Sequence, residues 1–339
     1  MSNIRDVALR AGVSPSSVTR VLGGYPNVSP ELRERVLRAV EEVNYQPDLL
    51  AAGLRRGKTK TVGMLVNDVL NPFNAQMMDI FESELRRAGY NVILTNSNGL
   101  SEVDLENLMV LKQRRVDGLV ASFADDRNPL LATELRSWTV PVVLFDRQVD
   151  DIDVSAVLSD HRYGAQQLSE HLVDQGHRRL AMISGSEALY STRERILGMQ
   201  DVAREHGLEI RPDFLISGRG SHEHGSEGVA RLLDDPEPPT AIVLANGNTA
   251  AVVGALAQLR RRGVRIGEDL AVATYYDDPV VALWSPSLTS VWRHVPDMAR
   301  RAADMMLDRL QDGRRMAHTV VLPTRLMVRE STSRQFDAD

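Results

Sequence analysis

Polar side chains stand shortly after several apolar runs in this 339-residue chain, where they could bind a small molecule. A carboxylate accepts hydrogen bonds, a guanidinium donates them and a carboxamide does both, so the set suits a ligand with several hydroxyl groups. Phe73, which follows the first of these runs, could stack on a ring of such a ligand. The polar residues are Asp68, Asp146, Arg147, Asn248 and Asp277.

The apolar runs alternate with amphipathic stretches of helical spacing from Thr61 onward. This alternation predicts right-handed βαβ units and a parallel sheet that is covered by helices on both faces. Because it occurs in two successive series, we expect two doubly wound α/β lobes with a cleft between them. Ligands bind such sheets outside the carboxyl ends of the strands, so the polar residues are expected to converge on one site.

The first 22 residues, MSNIRDVALRAGVSPSSVTRVL, indicate a second kind of chemistry, DNA binding. Apolar spacing predicts a short helix over 4–11, and Gly12 suits a tight turn that needs a positive φ. Ser14 is a good N-cap and Pro15 suits the first position of a second helix. Two short helices joined in this way form a helix-turn-helix, whose second helix enters the DNA major groove. A third helix over 31–43 closes the domain, and its predicted inner face comprises Leu32, Val36, Leu37 and Val40.

The distribution of charge supports a localised DNA-binding domain. The net charge is −6, yet residues 1–60 carry ten Lys and Arg against six Asp and Glu. The absence of cysteine excludes disulfides, thiol catalysis and cysteine-bound zinc. No apolar run is long enough to span a membrane and no signal-peptide pattern is present, so we expect a cytoplasmic protein without membrane contact.

Enzyme activity is not expected from this sequence. A nucleophile elbow, a Walker loop and a zinc-protease helix are all missing. His222 and His224 could suggest a metal, but no third ligand stands near them in the sequence. We expect them to lie in a loop that flanks the cleft, and we expect neither a metal nor a cofactor.

Residues 47–60 are expected to form a hinge after the helical domain. Pro47 breaks the chain, and one short helix is predicted from Asp48 to Gly57. Gly53 in its middle costs roughly 1 kcal/mol of helix propensity relative to Ala, and so short a helix is marginal in water. We therefore expect a segment that becomes helical when another contact stabilises it. The alternative is a passive linker.

With these motifs in order, the chain resembles the LacI/GalR family of bacterial transcription regulators. The resemblance rests on IRDVALRAGVSPSSVTRVL, VNYQPDLLAAGLRRGKTKTVGMLV, FDR, SDHRYGAQQLSEHLVDQGHRRLAMISG, STRERILGM, YYDDP, SPSLTSV and LPTRLMVRES. It implies a helix-turn-helix headpiece over 1–46, a hinge helix and linker over 47–60, and a core over 61–335 like a periplasmic binding protein. The chain would cross between the lobes of this core three times. The N-terminal lobe would take about 61–160 and 292–322, and the C-terminal lobe about 161–291 and 323–335.

On the family pattern, the early residues of the second helix face base edges. Pro15 can make only apolar contact, Ser16 can donate or accept, and Arg20 can bind guanine O6 and N7 unless it contacts phosphate. Ser14 and Ser29 would contact phosphate or cap helices. A hinge leucine acts in the family as a minor-groove wedge that kinks the DNA, or it packs against its dimer mate. The implied DNA-binding residues are Ser14, Pro15, Ser16, Thr19, Arg20, Ser29, Leu54 and Arg55.

The resemblance also implies an effector site with residues from both lobes. The site adds Ser191 and Arg195 of STRERILG, where the family arginine reaches into the cleft. Two departures alter the expected wall: Thr249 stands where the family usually has aspartate, and Tyr275 where it usually has glycine. A sugar is the first expectation, and a purine, a nucleoside, a sugar acid or a sugar phosphate stays open. The implied effector-binding residues are Phe73, Asp146, Arg147, Ser191, Arg195, Asn248 and Asp277.

The predicted function is a ligand-responsive regulator that represses a carbohydrate-utilisation operon and is released by a small-molecule effector. One alternative is a corepressor-dependent regulator of the same fold, with a purine or sugar-phosphate ligand. Another is a solute-binding protein without a regulatory role. The C-terminal STSRQFDAD has no heptad pattern, so we expect a homodimer on a near-palindromic operator rather than a coiled-coil tetramer.

Overall fold

The computed structural model describes residues 2–23, 25–45, 58–275, 277, 279–312 and 316–333. The chain divides into two compact units, Met1–Thr59 and Lys60–Asp339. Leu54 and Arg55 lie outside the described residues, together with residues 47–57 of the predicted hinge. Their roles therefore stay predictions.

The N-terminal unit is the predicted helix-turn-helix with its third helix. Its helices are α1 (Ile4–Ala11), α2 (Pro15–Leu22) and α3 (Pro30–Glu42). Asn3 and Asp6 form a capping box at the start of α1, and Gly12 ends that helix at a φ of 63°. Ser14 caps α2 by accepting a 3.2 Å hydrogen bond from the Ser17 N–H. The turn and cap predicted from the sequence are thus confirmed.

Small apolar residues let these three helices pack closely. Val36 is fully buried on α3, whereas Leu37 is 46% exposed, so its predicted place on the inner face is wrong. Adjacent residues lie about 100° apart around a helix, and Ala39, three residues after Val36, takes the inner position instead. The buried residues of this unit are Val7, Ala8, Ala11, Val18, Val21, Val36 and Ala39.

The second unit alternates strands and helices as predicted. Its elements are β1 (Thr61–Val66), α4 (Pro72–Arg87), β2 (Asn91–Asn96), α5 (Ser101–Gln113), β3 (Gly118–Ser122), α6 (Pro129–Arg136), β4 (Val142–Phe145), β5 (Ser155–Ser159), α7 (His161–Asp174), β6 (Leu180–Ser184), α8 (Tyr190–Glu205), β7 (Leu215–Ser217), α9 (His222–Leu233), β8 (Ala241–Ala245), α10 (Thr249–Arg261), β9 (Ala271–Thr274), α11 (Pro279–Leu283), β10 (Thr289–Arg293), α12 (Val295–Asp312), β11 (Thr319–Leu322) and β12 (Thr324–Met327).

These strands form two six-stranded sheets. The first has the order β11-β5-β4-β3-β1-β2 and is parallel throughout. The second has the order β12-β10-β9-β8-β6-β7 and is parallel except for β12, which runs antiparallel to β10. Helices pack on both faces of each sheet. The strands carry almost continuous apolar runs because both of their faces are buried. We call the two halves the N-terminal lobe and the C-terminal lobe.

The chain passes between the lobes three times. It leaves the first sheet after β5, returns after β10, and crosses again between β11 and β12. Helix α12 packs in the core of the N-terminal lobe, where Met298, Ala302 and Met306 meet residues of β1 and α4. Three neighbouring crossings place the carboxyl ends of both sheets on either side of one cleft.

Glycines allow α9 and α10 to approach within backbone contact. A Cβ atom on Gly225 would lie 1.9 Å from the Ala251 carbonyl oxygen, and one on Gly254 would lie 2.0 Å from the His222 carbonyl oxygen. Side chains at either position would force the helices apart. Among the described residues, no helix is long and apolar enough to cross a membrane.

Candidate functional site

The carboxyl ends of the strands in the two lobes enclose a cavity of about 460 Å³. Its wall on the N-terminal lobe includes Asp68, Phe73, Asp146 and Arg147. Its wall on the C-terminal lobe includes Ser191, Arg195, Asn246, Asn248 and Arg293. Polar residues that are far apart in the sequence therefore converge on one cavity, as expected for a ligand site of this fold.

Asp146 is a buried anion in the cavity wall. Its carboxylate accepts hydrogen bonds from the Arg293 guanidinium and, at 2.9 Å, from the Ser159 N–H. The His161 Nε2 atom lies 3.1 Å from the same carboxylate. Burial alone would raise the pKa of Asp146, but the interactions with His161 and Arg293 hold it well below its ordinary value. Asp146 is thus fixed as a carboxylate.

His161 connects this anion to Arg195. Burial lowers the pKa of His161 to about 4, despite the nearby Asp146 carboxylate. A neutral ring can donate from Nε2 towards Asp146 and accept at Nδ1, which lies 3.3 Å from an Arg195 nitrogen. The Tyr275 hydroxyl donates a hydrogen bond to the His161 carbonyl oxygen.

Arg195 lies against the face of a fully buried tyrosine. Its guanidinium carbon is 4.2 Å from the centre of the Tyr275 ring, and one terminal nitrogen donates to the Ala245 carbonyl oxygen at 2.7 Å. Burial lowers the pKa of Arg195 to about 10, which still leaves it charged at neutral pH. Tyr275 has room because Gly164 faces it: a Cβ at Gly164 would lie 2.5 Å from the Tyr275 hydroxyl oxygen.

Besides the contacts of Asp146 with Arg293 and His161, further polar contacts join the lobes around the cavity. At one, Asn248 Nδ2 donates to the Asp68 carboxylate at 2.7 Å. At the other, Asp126 accepts a 2.5 Å hydrogen bond from the Tyr190 N–H at the start of α8, and its own N–H donates to the Ala188 carbonyl oxygen. Either contact can exist only while the lobes are close together.

Helix α2 carries half of the predicted DNA contacts, namely Pro15, Ser16, Thr19 and Arg20. Pro15, Ser16 and Arg20 are exposed, and Ser16 Oγ lies 2.7 Å from Ser14 Oγ. Thr19 donates its hydroxyl to the Pro15 carbonyl oxygen at 3.0 Å. The Arg20 guanidinium donates a 3.3 Å hydrogen bond to the Asn27 carbonyl oxygen. Ser29 lies at the N-cap of α3, where it accepts from the Leu32 N–H.

Comparison with known proteins agrees with both units. Residues 3–48 match the model for bacterial regulatory proteins of the lacI family, and residues 169–332 match a periplasmic binding protein-like domain. The HTH-type transcriptional repressor PurR of Aliivibrio salmonicida is 30% identical over 92% of this chain and 93% of its own length. The chain belongs to the LacI family. It is a DNA-binding transcriptional regulator of that family.

Two other matches extend over nearly the whole chain. The ribose operon repressor of Haemophilus influenzae is 29% identical over 98% of both proteins. The solved structure of the transcriptional regulator CelR in complex with cellobiose is 29% identical, with a TM-score of 0.73, and the match covers 98% of this chain and all of that one.

Most of the predicted effector residues of this LacI-family chain line the cavity, but Asp277 is not among the described lining residues. Its carboxylate pairs with Arg329 at 2.7 Å and accepts a 2.6 Å hydrogen bond from Ser290 Oγ. The predicted residues that do line the cavity are Phe73, Asp146, Arg147, Ser191, Arg195 and Asn248.

Phe73 does not present an open ring face. It is 4% exposed, packs on Phe145, and has the Arg293 guanidinium 4.2 Å above its ring. Arg293 was not identified in the sequence analysis. It is the last residue of β10, so it lies at the carboxyl end of a strand, as Asp146 does after β4. His161 was also missed, because it opens a helix rather than following a strand.

The histidine pair lies at the start of a helix and not in a loop. Ser221 caps α9, His222 lines the cavity, and His224 Nε2 lies 2.9 Å from the Ser184 carbonyl oxygen. In the part of the chain that the structure describes, no group of three or more His, Asp or Glu residues is arranged to hold a metal ion.

Proposed function

We propose that this chain is a repressor whose operator affinity is set by a small molecule bound in the interlobe cavity. The observation that carries the proposal is the composition of the cavity wall, which takes Asp146 from one lobe and Ser191, Arg195 and Asn248 from the other. A ligand in contact with both walls binds the closed arrangement of the lobes more tightly than an open one. Such differential affinity is what allows a ligand to shift a conformational equilibrium.

The ligand class we propose is a polyhydroxylated molecule of sugar type. Carboxylate and amide oxygens of Asp68, Asn71 and Asn246 line the cavity together with guanidinium donors, which matches hydroxyl groups that both donate and accept. The similarity to a regulator solved with cellobiose supports this class. We further propose that the ligand releases the repressor from DNA.

We propose that α2 reads the operator in the major groove. The exposed side chains of Pro15, Ser16 and Arg20 are available for base edges, whereas Ser14 and Ser29 already cap helices and would serve phosphate positioning. Leu54 and Arg55 would act in the minor groove, on the family resemblance alone. The protein would work in the cytoplasm, where it meets chromosomal DNA.

A homodimer on a near-palindromic operator completes the proposal. Exposed apolar side chains occur on the second unit, including Met109 and Val110 of α5 and Val280 and Leu283 of α11. Side chains of this kind favour burial against a second copy of the chain. A dimer with twofold symmetry would present two headpieces to two operator half-sites.

The test combines operator selection with titration. The full chain is used to select operators from a library of near-palindromic duplexes, and operator affinity is then measured by fluorescence anisotropy with and without each of a panel of sugars. We expect one sugar to change the operator Kd by at least fivefold, within the usual range of allosteric coupling. Asn248→Ala should abolish the response, and Asn91→Ala, an exposed asparagine on β2, should retain it. A panel that leaves the operator Kd unchanged would contradict the proposal.

A further inference from the structure

The amino-terminal ends of three neighbouring strands form one edge of the sheet in the N-terminal lobe. The backbone N–H of Lys60 donates to the Asp117 carboxylate at 2.8 Å, and its carbonyl oxygen accepts from the Asn91 N–H at 2.9 Å. The Asp117 N–H in turn donates to the Thr61 carbonyl oxygen at 2.7 Å. These hydrogen bonds hold the segments that precede β1, β2 and β3 side by side. We call them the amino-terminal rim, which comprises residues 58–60, 84–90 and 111–117.

The amino-terminal rim is basic, although the unit that carries it is acidic. The rim holds seven Lys and Arg against two Asp and Glu, and all seven of these cations are exposed. Residues 61–339 as a whole carry thirty Lys and Arg against forty Asp and Glu. The rim is therefore a localised positive patch on a negatively charged body.

Exposed ion pairs offset only part of this positive charge. Within the rim, Arg87 binds Glu84 at 2.8 Å. Just outside it, Glu82 and Glu134 pair with two further rim cations at 3.6 and 3.0 Å. With both of these carboxylates included, the cations still outnumber the acidic residues by seven to four. Ion pairs at the surface contribute little free energy, so a phosphate group can compete for these cations.

The helix dipole does not explain the excess of cations. Basic side chains are favoured near the C-terminus of a helix, and two of the rim segments follow such ends. In the second sheet, β6, β7 and β8 take the same places as β1, β2 and β3 in the first. The segments that precede them carry only five Lys and Arg against six Asp and Glu, although two of them also follow helices. These segments are residues 177–179, 202–214 and 230–240.

The rim is also the place where the chain arrives from the DNA-binding unit. The first unit ends at Thr59 and the second begins at Lys60, which belongs to the rim. DNA that is bound by the headpiece is therefore tethered to the rim through the chain. Such a tether raises the effective concentration of DNA phosphates at a second binding surface.

We propose that the amino-terminal rim binds the phosphate backbone of DNA and acts as a second contact surface besides the headpiece. Lys and Arg side chains that neutralise phosphates release condensed counter-ions, which makes the affinity steeply dependent on salt. Contacts to phosphate carry no sequence information. The rim therefore adds affinity for operator and for unrelated DNA alike, whereas the headpiece supplies the specificity.

The experiment measures the salt dependence of DNA binding by the full chain without any effector. Fluorescence anisotropy gives the Kd of the selected operator and of a duplex of scrambled sequence between about 0.05 and 0.3 M NaCl. The rim variant replaces three exposed cations of the rim, and the control variant removes the same charge from exposed arginines of the C-terminal lobe. The rim variant is Arg86→Gln, Arg87→Gln and Arg114→Gln. The control variant is Arg231→Gln, Arg260→Gln and Arg261→Gln.

The rim variant should bind DNA with a weaker salt dependence. The slope of log Kd against log salt concentration falls by about 0.9 for each phosphate contact that is lost, so we expect a change of about 2 or more. At about 0.1 M NaCl the Kd of operator and of the scrambled duplex should rise by the same factor, at least tenfold. The control variant should keep the wild-type slope. Lysine at the three rim positions should keep it as well, because lysine carries the same charge.

Thermal unfolding of each variant verifies that it is folded. A rim variant with the wild-type salt slope, or a control variant whose slope falls as far, would overturn the proposal. A loss of affinity that is confined to the operator would also contradict it, because that result would indicate an effect on the headpiece. Since no effector is added, the outcome is independent of whether a small molecule sets operator affinity.

Discussion

Asp126 binds the first turn of α8 from the opposite lobe, and its titration should be visible in the stability of the protein. Leu189, at the N-cap of α8, makes no side-chain hydrogen bond to the helix. The Asp126 carboxylate supplies one instead, to the Tyr190 N–H at 2.5 Å. The same helix carries Ser191 and Arg195, so this cap from the other lobe helps to position the cavity wall.

The magnitude follows from burial. Desolvation raises the pKa of Asp126 to about 7 from the ordinary value of 3.8, although the Arg147 guanidinium 3.5 Å away opposes the rise. Between pH 3.8 and about pH 7, the Asp126 side chain has lost its proton in the unfolded chain and still holds it in the folded protein. The free energy of unfolding therefore falls by about 1.4 kcal/mol per pH unit from this group as the pH rises, and the fall ends near pH 7.

Asp126→Asn keeps an acceptor for the Tyr190 N–H and removes the titration. The stability of the variant relative to wild type should increase by about 2 kcal/mol between pH 5 and 7 and then change little to pH 8. Urea unfolding followed by tryptophan fluorescence measures this difference, because all three tryptophans belong to the second unit. Other groups, such as Asp104 with its pKa of about 6, titrate in both proteins and cancel.

Asp125→Asn is the matched control, since Asp125 is the neighbouring residue, is only partly buried, and accepts from the Arg127 N–H. The difference in unfolding free energy between Asp125→Asn and wild type should not show this increase between pH 5 and 7. A stability difference between Asp126→Asn and wild type that is constant from pH 5 to 8, or that grows towards low pH, would refute the reasoning.

Two further predictions concern helix packing and the hinge. Gly225→Ala should lower the free energy of unfolding by about 1–3 kcal/mol, because the new methyl would lie 1.9 Å from the Ala251 carbonyl oxygen. Gly247→Ala is the control, because the nearest neighbour of its new methyl would be 3.7 Å away. In chemical denaturation its free energy of unfolding should stay within about 0.5 kcal/mol of wild type. Equal losses of unfolding free energy at the two glycines would argue against the close helix contact. Leu54→Ala should weaken operator binding at least tenfold with little loss of effector binding, since a minor-groove wedge offsets the cost of kinking DNA. Unchanged operator affinity in an anisotropy titration would exclude the wedge.

The sequence was most informative where short-range rules apply. Periodicity, Gly12, Ser14 and Pro15 predicted the helix-turn-helix to within a residue, because caps and turns depend on residues close in the chain. The alternation of strands and helices likewise predicted two parallel sheets.

Side-chain partners from distant segments could not be predicted in this way. Asp277 follows a strand as expected, but Arg329, 52 positions further on, lies close enough to pair with it. Phe73 lines the cavity, but the sequence could not show that the Arg293 guanidinium lies 4.2 Å from the centre of its ring.

The most direct test of the central claim, that the cavity and the operator-binding surface are energetically coupled, is the reciprocity of the two binding reactions. The Kd of the selected ligand is measured by calorimetry with the free protein and with the operator-saturated protein. The account predicts that operator weakens ligand binding by the same factor, at least fivefold, by which the ligand weakens operator binding. A ligand that binds both forms of the protein with the same Kd would contradict the account.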